Sequence, residues 1–406
     1  MPLLPPNTSR DAGVLLTTRS IRGFVDGLIS LAIAALLPLY GFSSQRVGIV
    51  VTGMMLGSAA MTILVGTKGN AIPRRTLLFG GSALMIVTGA LFGLTTSFAL
   101  LFVIGVVGTL NPTSGDVSVF LPLEQSMLAG TTAATQRTAL YARYAFVGGV
   151  FGALGSFAIR IPEYVHHHSS LSESTVLRWC FGAYVLAGVV VLILYRSLDS
   201  GESSRQSAAA EPLGKSRKVV YQLAALFSLD AFGGGFVVQS LLALWLFRRF
   251  DLSVSAAGTL LLVTGTLAAG SGFVAAWLAA RIGLVRTMVF THLPANGFLI
   301  AAAFMPNMPL AVTMLVLRSL LSSMDVPART SYVMAVVSPA ERAAAASVTN
   351  VPRSLAAALP PTAAGWMLDH STFGWPLVIA GVSKAIYDLL LLRQFRHVRP
   401  EEEQPA

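Results

Sequence analysis

The sequence predicts an all-α integral membrane protein with twelve transmembrane helices, arranged as two parallel six-helix bundles. Three observations lead there. Of the 406 residues, 54% are hydrophobic and only 11% charged; mean hydropathy is +0.70; and Lys and Arg punctuate apolar runs instead of clustering. Soluble domains carry about 25% charged residues, so a surface this poor in charge suits acyl chains rather than water. A spanning helix needs about 20 mostly apolar residues, and twelve such spans with short loops consume nearly the whole chain.

Windows of about 19 residues delimit helices near 20–42, 46–65, 76–96, 99–128, 137–160 and 174–195, then near 218–247, 254–280, 285–304, 309–336, 342–368 and 373–394. Pro112, Pro122 and Pro327 fall inside the long fourth and tenth spans, where a ring without an N–H bends a helix. The stretch RSLDSGESSRQSAAAEPLGKSRK is polar and reads as a linker, which gives an N-terminal bundle over 1–195, a cytoplasmic linker over 196–217 and a C-terminal bundle over 218–406. Cytoplasmic loops carry an excess of Lys and Arg. With the N-terminus inside, eighteen cations face inward, Arg19 and Arg22 among them, and only Arg46, Arg160, Arg178, Arg248 and Arg249 face outward. That asymmetry puts both termini and the linker in the cytoplasm.

Several function classes drop out. Nucleic-acid binders gather their cations on one solvated face, so the net charge of +10 predicts no nucleic-acid partner. A single cysteine, Cys180, excludes an internal disulfide and a Cys-based zinc site. His166, His167 and His168 read as a solvated external loop, not a metal site. The chain has no G-x-x-x-x-G-K-[ST], no H-E-x-x-H and no G-x-S-x-G, so neither ATP hydrolysis nor enzyme catalysis is expected; no cofactor is predicted. The first span is expected to act as an uncleaved insertion signal.

The halves match at an offset of about 205 residues. Pro122 falls on Pro327, Glu124 on Arg329 and Arg137 on Arg342, while Asp26 has a near counterpart in Asp230. Even numbers of spans insert both halves with the same orientation. Parallel repeats place a substrate near the bilayer midplane, where the repeats meet.

With its linker and the loop GTKGNAIPRRTLL, the sequence resembles the major facilitator superfamily. Gly66, Arg74, Arg75 and Leu78 match the family's loop signature, while Asn70 stands at its acidic position and Pro73 at its second glycine. The later copy keeps Leu278, Ala279, Arg281 and Gly283 but has Ala280 at the acidic position. The resemblance is to bacterial permeases of the efflux type. It implies a secondary active transporter moving a small organic solute by alternating access, as a proton-coupled exporter, with uptake of a metabolite or anion as the alternative. The implied setting is the inner membrane, as a multi-pass monomer whose partners are a small-molecule substrate, a proton or other coupling ion, and the bilayer.

Ionisable residues inside spans are costly against lipid and mark pathways or pairs. Asp26, Asp116 and Asp230 are candidates for proton coupling, because burial favours the neutral form of a carboxyl and so allows uptake and release. Arg318 and Arg353 stay charged at similar depth and would attract an anion or neutralise a carboxylate. Asn111, Gln239 and Asn350 are the further cavity candidates. Arg74, Arg75, Glu124, Arg143, Asp325 and Arg329 resemble the cytoplasmic ion-pair gate of the family. They read equally as static braces within one half. Asp325 with Arg329, and Lys384 with Asp388, are four apart and share a helix face. Gly148, Gly149, Gly152 and Gly155 have the small-residue spacing of closely packed helices.

Overall fold

The computed structural model describes residues 8–68, 72–113, 118–132, 136–198, 213–214, 216–338 and 341–395. Every element found there is helical. Unit 1 of the molecule comprises Met1–Ser203 with Val238–Gly265, and unit 2 comprises Ser204–Val237 with Thr266–Ala406.

Unit 1 begins with α1 (Arg10–Leu39), α2 (Ser44–Lys68), α3 (Arg74–Leu94), α4 (Phe98–Val107) and α5 (Phe120–Leu128). It continues with α6 (Arg137–Ala158), α7 (Arg160–His168) and α8 (Glu173–Arg196), and takes in α10 (Gln239–Phe250). Unit 2 holds α9 (Arg217–Gly235), α12 (Leu284–Phe304), α13 (Met308–Leu321), α14 (Asp325–Ala335), α15 (Arg342–Ala358), α16 (Pro360–His370) and α17 (Trp375–Phe395). The boundary at Gly265 falls inside α11 (Val254–Ile282).

Among the described residues, ten helical stretches are long and apolar enough to cross a membrane. The fourth and eleventh expected spans are not among these ten: α4 and α5 lie in place of the one, and α15 and α16 in place of the other. The breaks follow local chemistry. Between α4 and α5, the Asn111 side chain accepts from the Thr113 N–H (2.9 Å) and hydroxyl (2.7 Å), a turn that replaces helical bonding next to Pro112. Pro360 and Pro361 open α16, where a missing N–H costs nothing. The side chains of Ser172 and Asn307 cap α8 and α13 by accepting the N–H of Thr175 and Leu310. Gly283, at φ +87°, turns the chain from α11 into α12 in a conformation that residues with a Cβ rarely adopt.

Within unit 1, α1 packs on α6 along a seam of glycines. A Cβ at Gly27 would lie 1.9 Å from the carbonyl oxygen of Gly152, and one at Gly155 would lie 1.7 Å from that of Phe24. The apolar core around this pair includes Leu15, Leu78, Phe120, Leu123, Leu140 and Tyr144. In unit 2, α9 packs on α15 and α17, and α12 on α13, α14 and α17, around Leu223, Phe227, Met288, Tyr332 and Tyr387. Large apolar side chains are left facing outward, such as Leu94, Leu186, Phe273 and Leu389. A lipid-facing surface of this kind is what soluble monomers avoid.

Two expectations need correction. The first span starts at Arg10 rather than near residue 20, so Arg19 and Arg22 lie inside α1 and are buried, not loop cations. Asp11 in the first turn suits the positive end of the helix dipole, and Ala12, Leu15 and Leu16 extend the buried face. His166, His167 and His168 are helical, forming the last turn of α7 instead of a loop.

Candidate functional site

In unit 1 the centre is Glu124 on α5, fully buried. Its carboxylate accepts from the hydroxyls of Thr18 (2.7 Å), Tyr195 (2.6 Å) and Tyr144, and from the Arg22 guanidinium. Four donors fill the roughly four acceptor positions of a carboxylate. Arg22 also lies over the Phe120 ring, 4.3 Å from its centroid. Arg19, three residues earlier on α1, faces the Tyr144 ring at 5.4 Å and packs on Gly148, where a Cβ would meet its Nε at 2.1 Å. Arg143, another of the gate candidates, is half-buried on α6 and is not among the groups that touch Glu124.

Asp26 lies one turn beyond Arg22, near the middle of α1, and is 5% exposed. It makes no hydrogen bond or ion pair among the described residues, because Arg22 on the same face is turned to Glu124. Asp116, the other carboxylate expected in this half, lies outside the described residues. Gln239 on α10 donates from Nε2 to the Ser156 hydroxyl (2.8 Å), which donates in turn to the carbonyl of Gly27 (3.2 Å). Asn111 is buried in the α4–α5 turn. Arg75 donates to the Arg196 carbonyl (2.6 Å), closing α3 onto the end of α8, while Arg74 is exposed.

In unit 2 the centre is Asp230 on α9. Lys384 Nζ from α17 lies 2.6 Å from Oδ1, and Arg329 Nη1 from α14 lies 3.2 Å from Oδ2. Arg329 also pairs with Asp325 at 3.3 Å, the i,i+4 pair expected from spacing. Lys384 and Asp388 do not pair with each other. Lys384 goes to Asp230, and Asp388 accepts from Asn296 (2.9 Å) and faces His292 Nδ1 (3.0 Å), both on α12. The α17 backbone points both residues inward, but each meets a stronger partner across the bundle. Arg318 on α13 is half-buried, with no hydrogen bond or ion pair among the described residues. On α15, Arg353 is half-buried and Asn350 exposed. Among the described residues, no group of three or more His, Cys, Asp or Glu is arranged to hold a metal ion.

Of the expected residues, Glu124 stands at the centre of a buried cluster in unit 1, and Asp230, Asp325 and Arg329 share one in unit 2. Thr18, Arg19, Arg22, Tyr144 and Tyr195 are additions in unit 1, and His292 and Asn296 in unit 2. Spacing offered a partial signal: Arg22 with Asp26, and His292 with Asn296, are each four apart.

The family model described as Major Facilitator Superfamily matches residues 15–317 and 228–406. An uncharacterized membrane protein of Saccharomyces cerevisiae is 22% identical over 422 residues, covering 95% of this chain and 94% of its own. An uncharacterized MFS-type transporter of Bacillus subtilis is 24% identical over 305 residues, covering 70% of this chain and 72% of its own. Among solved structures, a bacterial homolog of the human lysosomal transporter Spinster, inward-facing and occupied, superposes with a TM-score of 0.72 at 18% identity, covering 99% of this chain and all of that one.

Proposed function

The chain belongs to the major facilitator superfamily, a multi-pass secondary transporter rather than an enzyme, and from that premise we propose that it exports a small organic solute in exchange for protons. The observation that carries this reading is Asp26. It is a buried carboxylate at mid-span with no cation or donor committed to it, on the same helix face as an arginine that is committed elsewhere. Such a carboxyl is free to gain and lose a proton without breaking a hydrogen bond or ion pair among the described residues. Glu124 is the opposite case, since its donors would be stranded by protonation. Alternating access then uses Asp26 as the proton carrier, and the chain works as a monomer in the inner membrane with both termini in the cytoplasm.

The test is flux in proteoliposomes under an imposed pH gradient, using a fluorescent lipophilic cation, a nucleoside and an organic carboxylate as probes. Gradient-driven movement of one probe, lost in Asp26→Asn, is the expected result. Movement that follows the gradient equally in Asp26→Asn removes Asp26 from the coupling. Tags at either terminus that are cleaved only by protease on the cytoplasmic side check the orientation.

A second reading, uptake of an organic anion, is favoured by Arg318. A half-buried guanidinium with no carboxylate in hydrogen-bond reach among the described residues is available to an anionic group. Competition by the carboxylate probe, lost in Arg318→Gln, would select this reading over export of a cation.

A further inference from the structure

Both ring nitrogens of His292 face carboxylates. Nδ1 lies 3.0 Å from Oδ1 of Asp388, and Nε2 lies 3.8 Å from Oδ1 of Asp230. A neutral imidazole has one N–H and one lone pair, so a neutral ring in this position turns a lone pair toward one of the two anions. An imidazolium presents an N–H to each. The surrounding ion pairs lead to the same place independently. Asp230 has Lys384 and Arg329, and Asp325 has Arg329, all within 4.0 Å. Asp388 is fully buried, and among the described residues it has no Lys or Arg within that distance. Its partners are the neutral Asn296 and the histidine. A buried carboxylate without a cation is expensive, and one proton on the His292–Asp388 pair removes that cost.

We infer that His292 and Asp388 form a proton-binding site in unit 2, holding one proton as an imidazolium between Asp388 and Asp230. Every charged group facing the ring fits this assignment or is outweighed. Asp230 on α9, Asp325 on α14 and Asp388 on α17 favour the cation, while Lys384 on α17 and Arg329 on α14 oppose it from their positions on Asp230. Arg318 on α13 makes no hydrogen bond or ion pair with the set and opposes the cation only at longer range, through Asp230. On its own helix the ring has only the neutral Asn296, and the Tyr387 ring packs against it edge-on at 6.1 Å. The proton comes from water and returns to it. Its departure turns a lone pair toward Asp230 or Asp388, which weakens the tie of α12 to α9 or to α17. That role in a cycle rests on the transport reading above; the presence of the proton does not.

The experiment uses the full chain in lipid nanodiscs, labelled with ¹⁵N-histidine, with His292→Gln identifying the His292 signal among the six histidines. At pH 7 both His292 nitrogens should be protonated, and in Asp388→Asn, which can keep the hydrogen bond to Asn296, the ring should revert to a neutral tautomer. A neutral ring in the unmodified protein at pH 7, or an unchanged imidazolium in Asp388→Asn, overturns the site. Should Asp388→Asn fail to fold, the protonation state of the unmodified protein decides alone. For the role, gradient-driven flux of the transported probe should lose its pH dependence in His292→Gln while Asp26→Asn loses coupling altogether. A wild-type pH profile in His292→Gln overturns the role. A protein that moves none of the probes leaves the ¹⁵N result standing, so failure of the site and failure of the transport reading are told apart.

Discussion

Asp26 and Asp230 occupy near-matching positions in the two halves of the chain, yet one is bare and the other is held by two cations. The sequence offset of about 205 residues pairs two positions of opposite sign on the partner helices. Unit 2 has Arg329 there, which reaches Asp230 at 3.2 Å. Unit 1 has Glu124, which cannot pair with Asp26 and instead draws Arg22 away from it. Unit 1 satisfies its central carboxylate mainly with hydroxyls from Thr18, Tyr144 and Tyr195. Unit 2 does so with Lys384 and Arg329. In unit 1 one cation and three hydroxyls converge on a single carboxylate, whereas in unit 2 Arg329 is shared between Asp230 and Asp325. Unit 1 thus has a braced carboxylate beside one without a hydrogen bond or ion pair among the described residues, and unit 2 has a network of shared ion pairs.

The comparison can be broken most decisively at Glu124. Glu124→Ala strands a buried guanidinium and three hydroxyls, and should cost about 3–5 kcal/mol or prevent folding; thermal unfolding in detergent measures it. An unchanged midpoint would end the description of Glu124 as a brace. Lys384→Met should cost less, about 1–3 kcal/mol, because Arg329 stays on Asp230. If it costs as much as Glu124→Ala, the two clusters are equally rigid. Gly27→Ala should cost about 1–3 kcal/mol by forcing α1 off α6. Gly80→Ala, where a Cβ meets nothing within 4 Å, serves as the control and should stay within about 0.5 kcal/mol. Asp26→Asn should leave the melting midpoint unchanged or raised, since it removes a buried charge without a partner, even as proton-driven flux disappears.

The smallest effect concerns Glu341, in the turn before α15. The Ser216 hydroxyl (2.7 Å), the Gly214 N–H and the Ser338 hydroxyl (3.1 Å) bond to its carboxylate and hold it below the usual carboxylate range. A carboxyl lowered by folding adds stability that is complete above its unfolded value, near 4.3, and is lost as pH falls through the lower folded value. Amide exchange at Gly214 should therefore accelerate on acidification in the unmodified chain. In Glu341→Gln it should already be fast at pH 7.

The all-helical membrane architecture was legible because it rests on long apolar stretches, ten of which are found among the described residues. Asp325 with Arg329 was legible too, being a contact within one turn. The unit 1 cluster was not. Arg22 and Glu124 are 102 residues apart, and an arginine near an expected helix start reads as a loop cation until its buried partner is known. Lys384 and Asp388 show the limit of spacing from the other side. Four apart on one helix, they still meet Asp230 and His292, groups on α9 and α12 that no spacing along α17 can reveal. His292 has no local pattern beyond Asn296, so its place between two carboxylates emerges only when α9, α12 and α17 are assembled.

The glycine seam between α1 and α6 also sets a measure. With no side chains to interdigitate, backbone meets backbone at Gly27, Gly152 and Gly155, and an added Cβ at Gly27 or Gly155 would force the helices apart. Arg22 is carried on one of these rails and Tyr144 on the other, and both must arrive at the same carboxylate. The seam is thus a spacer of near-zero thickness: it sets the distance between the helix that carries Asp26 and the helix that carries Tyr144.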